Sequence, residues 1–192
     1  MRTAGRRRLY HILGASILGL VATCRPVCAE EPAKIVEQYV RAAGGSRALA
    51  KIHTLELEGT FTTDDGKSGT FTFDTKLPNR YYLELLVGEQ TLIEAYNGKS
   101  AWHRDAAGEL ATLVGAEGMQ LEAAAQYYNS RLVNPKKEKM ALAFVGHVQV
   151  RGRDALELEV SSSTGMKRLV FFDPETHLVV KEAATVGGAE EA

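Results

Sequence analysis

Polar and apolar positions along the chain change period twice. In "EEPAKIVEQYVRAAGG" the apolar residues Ile35, Val36, Tyr39, Val40 and Ala43 recur at helical spacing. An acidic start suits the helix dipole, Pro32 fits the first turn and Gly44-Gly45 supplies the stop. Ser46 is then placed to cap a second, short helix over "RALAKI".

After His53 the period becomes two. "HTLELEGTF" sets Leu55, Leu57 and Phe61 on one face and Glu56, Glu58 and Thr60 on the other. "DDGK" marks a tight turn, and "GTFTFDTKL" returns with Phe71 and Phe73 on one side. "LPN" makes a corner, "RYYLELLV" alternates Tyr81, Leu83, Leu85 and Val87 against Tyr82 and Glu84, and "QTLIEAY" continues as a strand. This is an antiparallel meander with one wet face and one apolar face.

The alternation breaks at "VGAEGMQLEAAAQYYNSRLVNPKKEK". Leu121, Ala124, Ala125, Tyr128 and Leu132 form a helical stripe, which Pro135 ends, and a lysine-rich loop follows. Strands then resume in "ALAFVGHVQV", "ALELEVSS", "MKRLVFFD" and "LVVKEAATV", separated by the turns "RGRD", "STG" and "PETH". The pattern predicts about eight or nine strands and two substantial helices. The fold class is α+β, an antiparallel sheet with helices packed on its apolar face.

The leader adds a compartment. "MRTAGRRRLY" is basic, "ILGASILGLVA" is apolar, and small residues Val27 and Ala29 precede Glu30. This is the layout of a secretory signal peptide over residues 1–29, cleaved after Ala29, with a single domain over 30–192. The apolar run is shorter than the roughly 20 residues a membrane helix needs. The alternative is a lipoprotein signal in "LVATC", with Cys24 acylated. Cys24 and Cys28 both precede the cleavage site, which leaves no disulfide framework and no cysteine metal site. In a chain with net charge −1 this leader holds several Arg and no Asp or Glu, so the remainder is mildly acidic. Without a basic stripe, nucleic-acid binding is disfavoured.

Candidate chemistry is sparse. "YNGKSAWHRD" carries the only Trp, with His103 and Asp105 at spacing two. Asn97-Gly98 between two alternating runs signals a hairpin whose two turn positions both take positive φ. A Ser-His-Asp site would need a nucleophile elbow, and the chain has no G-x-S-x-G. His53, His103, His147 and His177 are isolated, each at or near a strand end, without metal-ligand spacing. The carboxylates Asp64, Asp65 and Asp173 fit turns, while Glu56 and Glu58 fit a solvated strand face. Neither phosphate-loop nor dinucleotide glycine motifs occur. What remains is the apolar face. It is either packed shut by the helices or left as a cavity suited to an acyl chain, where each buried methylene is worth about 0.8 kcal/mol.

The set "YVRAAGGSRALAKIHTLELEGTF", "LPNRYYLEL", "YNGKSAW", "VRGRDALELEV" and "VFFDPETHLVVKE" resembles the outer-membrane lipoprotein-sorting (LolA/LolB-like) superfamily, in its divergent exported branch of unassigned function. The likeness covers most of Glu30 to Val186. It implies a strongly curved, half-open incomplete barrel with two or three helices covering the concave face. It also implies a cavity in the periplasm that binds acyl chains of a lipid or lipoprotein, without enzymatic activity. A periplasmic or secreted monomer without cofactor or metal is expected.

No single binding residue carries over from the superfamily. The inward-face candidates for a ligand cavity are Leu55, Leu57, Phe61, Phe71, Phe73, Tyr81, Leu83, Leu85, Leu156, Leu158, Val170 and Phe172. Members continue past the equivalent of "KEAATVGGAEEA" into further hairpins, so a shorter or truncated variant with an unpaired edge is expected here. Two other functions are open. One is an envelope interaction module with a packed core that docks a partner protein through a sheet edge. The other is a hydrolase using His103 and Asp105.

Overall fold

A computed structural model describes residues 31–63, 65–163, 165–186 and 189–191. The expected signal peptide, both cysteines, Asp64 of the first tight turn and Thr164 of the "STG" turn lie outside these residues.

Helix α1 (Pro32–Ala42) starts with Pro at its first position and buries Ile35, Val36 and Val40. Its first turn holds no acidic residue, since Glu31 sits one place earlier, at the N-cap. Gly44 and Gly45 take φ of 105° and 88°, which favour glycine and turn the chain into α2 (Ser46–Leu49). Gly45, not Ser46, is the N-cap of α2, so the serine side chain caps nothing.

Six strands follow: β1 (Thr54–Thr62), β2 (Ser68–Lys76), β3 (Arg80–Val87), β4 (Gln90–Tyr96), β5 (Ala101–Arg104) and β6 (Leu110–Leu113). They pair antiparallel in chain order as one meander. Helix α3 (Gly115–Ser130) leads to a second sheet of β7 (Met140–Val150), β8 (Arg153–Ser162), β9 (Lys167–Phe172), β10 (Val179–Val186) and β11 (Ala189–Glu191). The α+β class and the unclosed antiparallel half-barrel stand, but the strands divide into two sheets of six and five. Eleven strands exceed the eight or nine expected, because "ELATLV" supplies the short β6 and the last described residues supply β11.

Turn chemistry explains the registers. Arg151 and Gly152 both take positive φ, 50° and 76°, giving the tight β7–β8 hairpin with Val150 opposite Arg153. At Asn97-Gly98 the expectation is half met. Gly98 has φ 97°, whereas Asn97 is not in the positive region. The loop runs over four residues, with the Asn97 Oδ1 accepting the N–H groups of Lys99 and Ser100 at 2.9 and 3.0 Å. In the "PETH" turn the Asp173 Oδ1 likewise accepts the N–H groups of Glu175 and Thr176.

Helix α3 lies between the two sheets. Leu121, Ala124 and Ala125 pack with Phe73, Tyr81, Tyr96 and Ala101 of the first sheet. Tyr127 belongs to the other core, with α1 and Leu156, Leu158, Val160, Val170 and Phe172 of the second sheet. Alanines and tyrosines on two faces let one helix serve both sheets. The helix stops at Ser130, five positions before Pro135, because Arg131 and Leu132 turn left-handed (φ 47° and 53°). Leu132 therefore leaves the helical stripe, yet it remains buried in the core.

Candidate functional site

Register assigns each side chain of the first sheet to a face. One cross-strand row reads Leu55, Thr75, Tyr81, Tyr96, Ala101, Leu113, and the next reads Leu57, Phe73, Leu83, Glu94, His103, Ala111. These rows and the one through Gly59, Phe71, Leu85 and Leu92 make the inner face, on which α3 packs. Trp102 pairs with Ala95 on the opposite face and takes no part in the site.

The helix covers only one end of this face. Tyr81 and Phe73 beneath it are buried, 7% and 8% exposed. Beyond it Leu57 and Leu92 remain 45% and 38% exposed, and Leu83 and Leu85 are half-buried. Phe61 and Phe71 shelter differently. Their rings lie over the glycines opposite them, Gly69 and Gly59, where an added Cβ would stand 2.7 Å and 2.6 Å from ring carbons. Glycine at these two positions lets the sheet curve and the rings lie flat against it.

Two adjoining cavities open here. One of about 240 Å³ is lined by Leu83, Leu85, Leu92 and Ile93 together with the polar Glu94, His103, Arg104 and Asp105, and most of its surface is apolar. A polar one of about 490 Å³ lies where α3, the first sheet and the start of β9 meet. Its walls carry Tyr81, Glu94 and His103 from the first sheet, Glu117 and Gln120 from α3, and Lys167 and Arg168 from β9. Glu94 and His103 line both, so the two spaces adjoin at this cross-strand pair.

Electrostatics of the polar cavity centre on Arg168. Its guanidinium stands 5.1 Å from the Tyr127 ring and 4.7 Å from the Tyr128 ring, a cation–π seat. The Arg168 Nε is buried and makes no hydrogen bond. Tyr128 meets Phe73 edge-on at 4.7 Å, which links the seat to the first sheet. Tyr127 donates its hydroxyl to Glu182 on β10 at 3.1 Å. Glu182 stands at an exposed place on the strand, but burial of its carboxyl raises its pKa, and the charge of Arg168 and the Tyr127 hydroxyl lower it in part. Burial also raises the pKa of Tyr81, with Glu94 adding to the rise, so that phenol stays protonated.

The twelve inward-face candidates separate into three groups. Tyr81 lines the polar cavity, and Leu83 and Leu85 line the apolar one. Leu55, Leu57, Phe61, Phe71 and Phe73 share their face, with Phe73 packed under α3. Leu156, Leu158, Val170 and Phe172 lie on the second sheet, between 0% and 5% exposed, packed with α1 in a closed core. The structure thus brings the first-sheet residues together and sets the last four apart.

Leu92, Glu94, Glu117 and Arg168 were not singled out by alternation. Glu94 reads as a wet-face residue until the register places it beside Leu83. The signal was the hairpin: once Asn97–Ser100 is taken as its loop, Glu94 and His103 must face each other. His147 is not near a strand end but within β7, edge-on to Phe144 at 5.5 Å. Among the described residues no group of three or more His, Cys, Asp or Glu could hold a metal ion. Nor is any described helix long and apolar enough to cross a membrane.

No family model matches the chain, and no curated protein matches its sequence. Solved structures do. A DUF1329 family protein from Desulfovibrio piger is 13% identical, over 82% of this chain and 75% of that one, with a TM-score of 0.40. A putative outer membrane lipoprotein-sorting protein domain from Vibrio parahaemolyticus is 11% identical, over 81% and 75%, at 0.42. A LolA superfamily protein from Nitrosomonas europaea is 11% identical, over 83% and 74%, also at 0.42. Two of these three structures carry the name of the superfamily that the hairpin motifs resemble. At these TM-scores neither ligand nor activity passes from those proteins to this chain.

Proposed function

We propose that this protein is a non-enzymatic carrier, exported to the periplasm, that holds acyl chains of a lipid or lipoprotein on the uncovered half of its first sheet. One observation carries the reading: the inner face continues past the end of α3 as exposed Leu57 and Leu92 beside Leu83 and Leu85, above an apolar cavity of about 240 Å³. Apolar surface of this kind on a concave face is a binding surface in need of an occupant. Binding is reversible burial, with no covalent step. The test is uptake of a fluorescent fatty acid by the mature chain. Leu83→Glu and Leu85→Glu should each abolish uptake while circular dichroism stays native. Normal uptake by both variants would refute the proposal.

A second reading has its own observation. At the edge strand β6 and the start of α3, Leu110, Val114 and Met119 are 69%, 76% and 50% exposed. These residues favour docking of a partner protein along that edge. Under this reading Leu110→Arg abolishes partner capture and leaves fatty-acid uptake unchanged, whereas Leu83→Glu leaves capture intact.

A further inference from the structure

The polar cavity beside the acyl groove has walls of opposite sign. Glu94 on β4 and Glu117 on α3 stand on one side, Arg168 and Lys167 on β9 on the other. Glu94, Glu117 and Arg168 form no salt bridge among the described residues; Lys167 pairs with Glu159 at 3.2 Å. Arg168 is held by Tyr127 and Tyr128 with its Nε donor unused, and Glu182 lies near enough to attract it. Arg168 and Lys167 together give the β9 side of the cavity two cations, which suit an incoming oxyanion.

From this polarity we infer that the cavity is a headgroup subsite for a zwitterionic phospholipid of the phosphoethanolamine type. The phosphate faces Arg168, with Lys167 at the rim, and the ammonium faces Glu94 and Glu117. The Glu94–His103 pair, common to both spaces, marks where headgroup gives way to acyl chain. An anionic lipid would satisfy only the β9 wall and leave two carboxylates facing its negative charge. A bare fatty acid would do the same with one oxyanion. The inference rests on the carrier reading and adds the ligand's chemical class to it.

The experiment is titration calorimetry of the mature chain with three short-chain amphiphiles: dihexanoyl phosphoethanolamine, dihexanoyl phosphoglycerol and hexanoate. The phosphoethanolamine lipid should bind about five- to tenfold more tightly than the phosphoglycerol lipid, as two partly exposed charge pairs allow. The double variant Glu94→Gln/Glu117→Gln should lose that preference and keep its fold, since both side chains are exposed. Arg168→Gln should weaken both phospholipids, while Glu56→Gln on the opposite face of the sheet changes nothing. Equal binding of all three ligands, or a preference that survives the double variant, overturns the headgroup subsite and leaves the carrier standing. Binding of none overturns both.

Discussion

Leu158 and Leu57 occupy equivalent places in the alternation of their strands, and the structure makes them opposites. Leu158 is 0% exposed in the middle of β8, flanked by Phe144 on β7 and Val170 on β9 and covered by the α1 core. Truncation to alanine removes buried methyl groups and leaves a void that neighbours on three sides cannot fill. Loss of transfer energy together with the cavity term costs about 3 kcal/mol, within a range of roughly 2–5. With a urea m-value of about 2 kcal/mol/M, the midpoint should fall by about 1.5 M. Leu57, 45% exposed, has little to lose, and Leu57→Ala should cost no more than about 1 kcal/mol. Urea titration followed by far-ultraviolet circular dichroism on the mature chain measures both. Equal midpoints for the two variants would refute the reasoning, because Leu57 would then be covered as well as Leu158 and no open half of the sheet would remain.

Three further substitutions probe the supports of the site. Asn129 donates its Nδ2 to the carbonyls of Arg80 and Ala125, each at 2.8 Å, and so ties α3 to the first sheet; Asn129→Ala should cost about 1–2 kcal/mol in the same titration, and no loss would show the tie is idle. A Cβ on Gly69 would collide with the Leu86 carbonyl and with the Phe61 ring at 2.7 Å, so Gly69→Ala should destabilise by about 1–3 kcal/mol, and an unchanged midpoint would contradict the close approach. The Asp173 carboxyl is held below its ordinary pKa by the N–H groups of Thr176 and Glu175, with Arg153 adding its charge at 3.1 Å. A depressed pKa stabilises fully above the unfolded value of about 3.9 and is lost as pH falls through the folded value. The stability gap between the protein and Asp173→Ala should therefore be widest at neutral pH and shrink below about pH 4. A gap independent of pH would assign it to packing alone.

Alternation and turn residues carried much of this fold. Gly44-Gly45, Arg151-Gly152 and the apolar period of β1 to β3 are local devices, and local devices are legible in a single chain. The division into two sheets was not, since it depends on a helix that buries two faces at once. Alanine at 123, 124 and 125 gives no amphipathic contrast from which to read that. The site was half legible for the same reason. Leu83 and Leu85 follow from period two, but Glu94 looks like a surface residue until pairing across the Asn97–Ser100 loop turns it inward. Arg168 lies on a different sheet and meets the cavity only through tertiary packing against Tyr127 and Tyr128. Leu156, Leu158, Val170 and Phe172 share the pattern of the groove residues, and only the position of α1 tells closed core from open face.

The central claim is that the uncovered half of the first sheet holds acyl chains. Native mass spectrometry of the mature chain, purified gently from a bacterial periplasm, tests it most directly. The account predicts an adduct with the mass of a phospholipid or acylated peptide, lost on denaturation and absent from Leu83→Glu. A bare protein mass, together with no uptake of added fluorescent fatty acid, would contradict it.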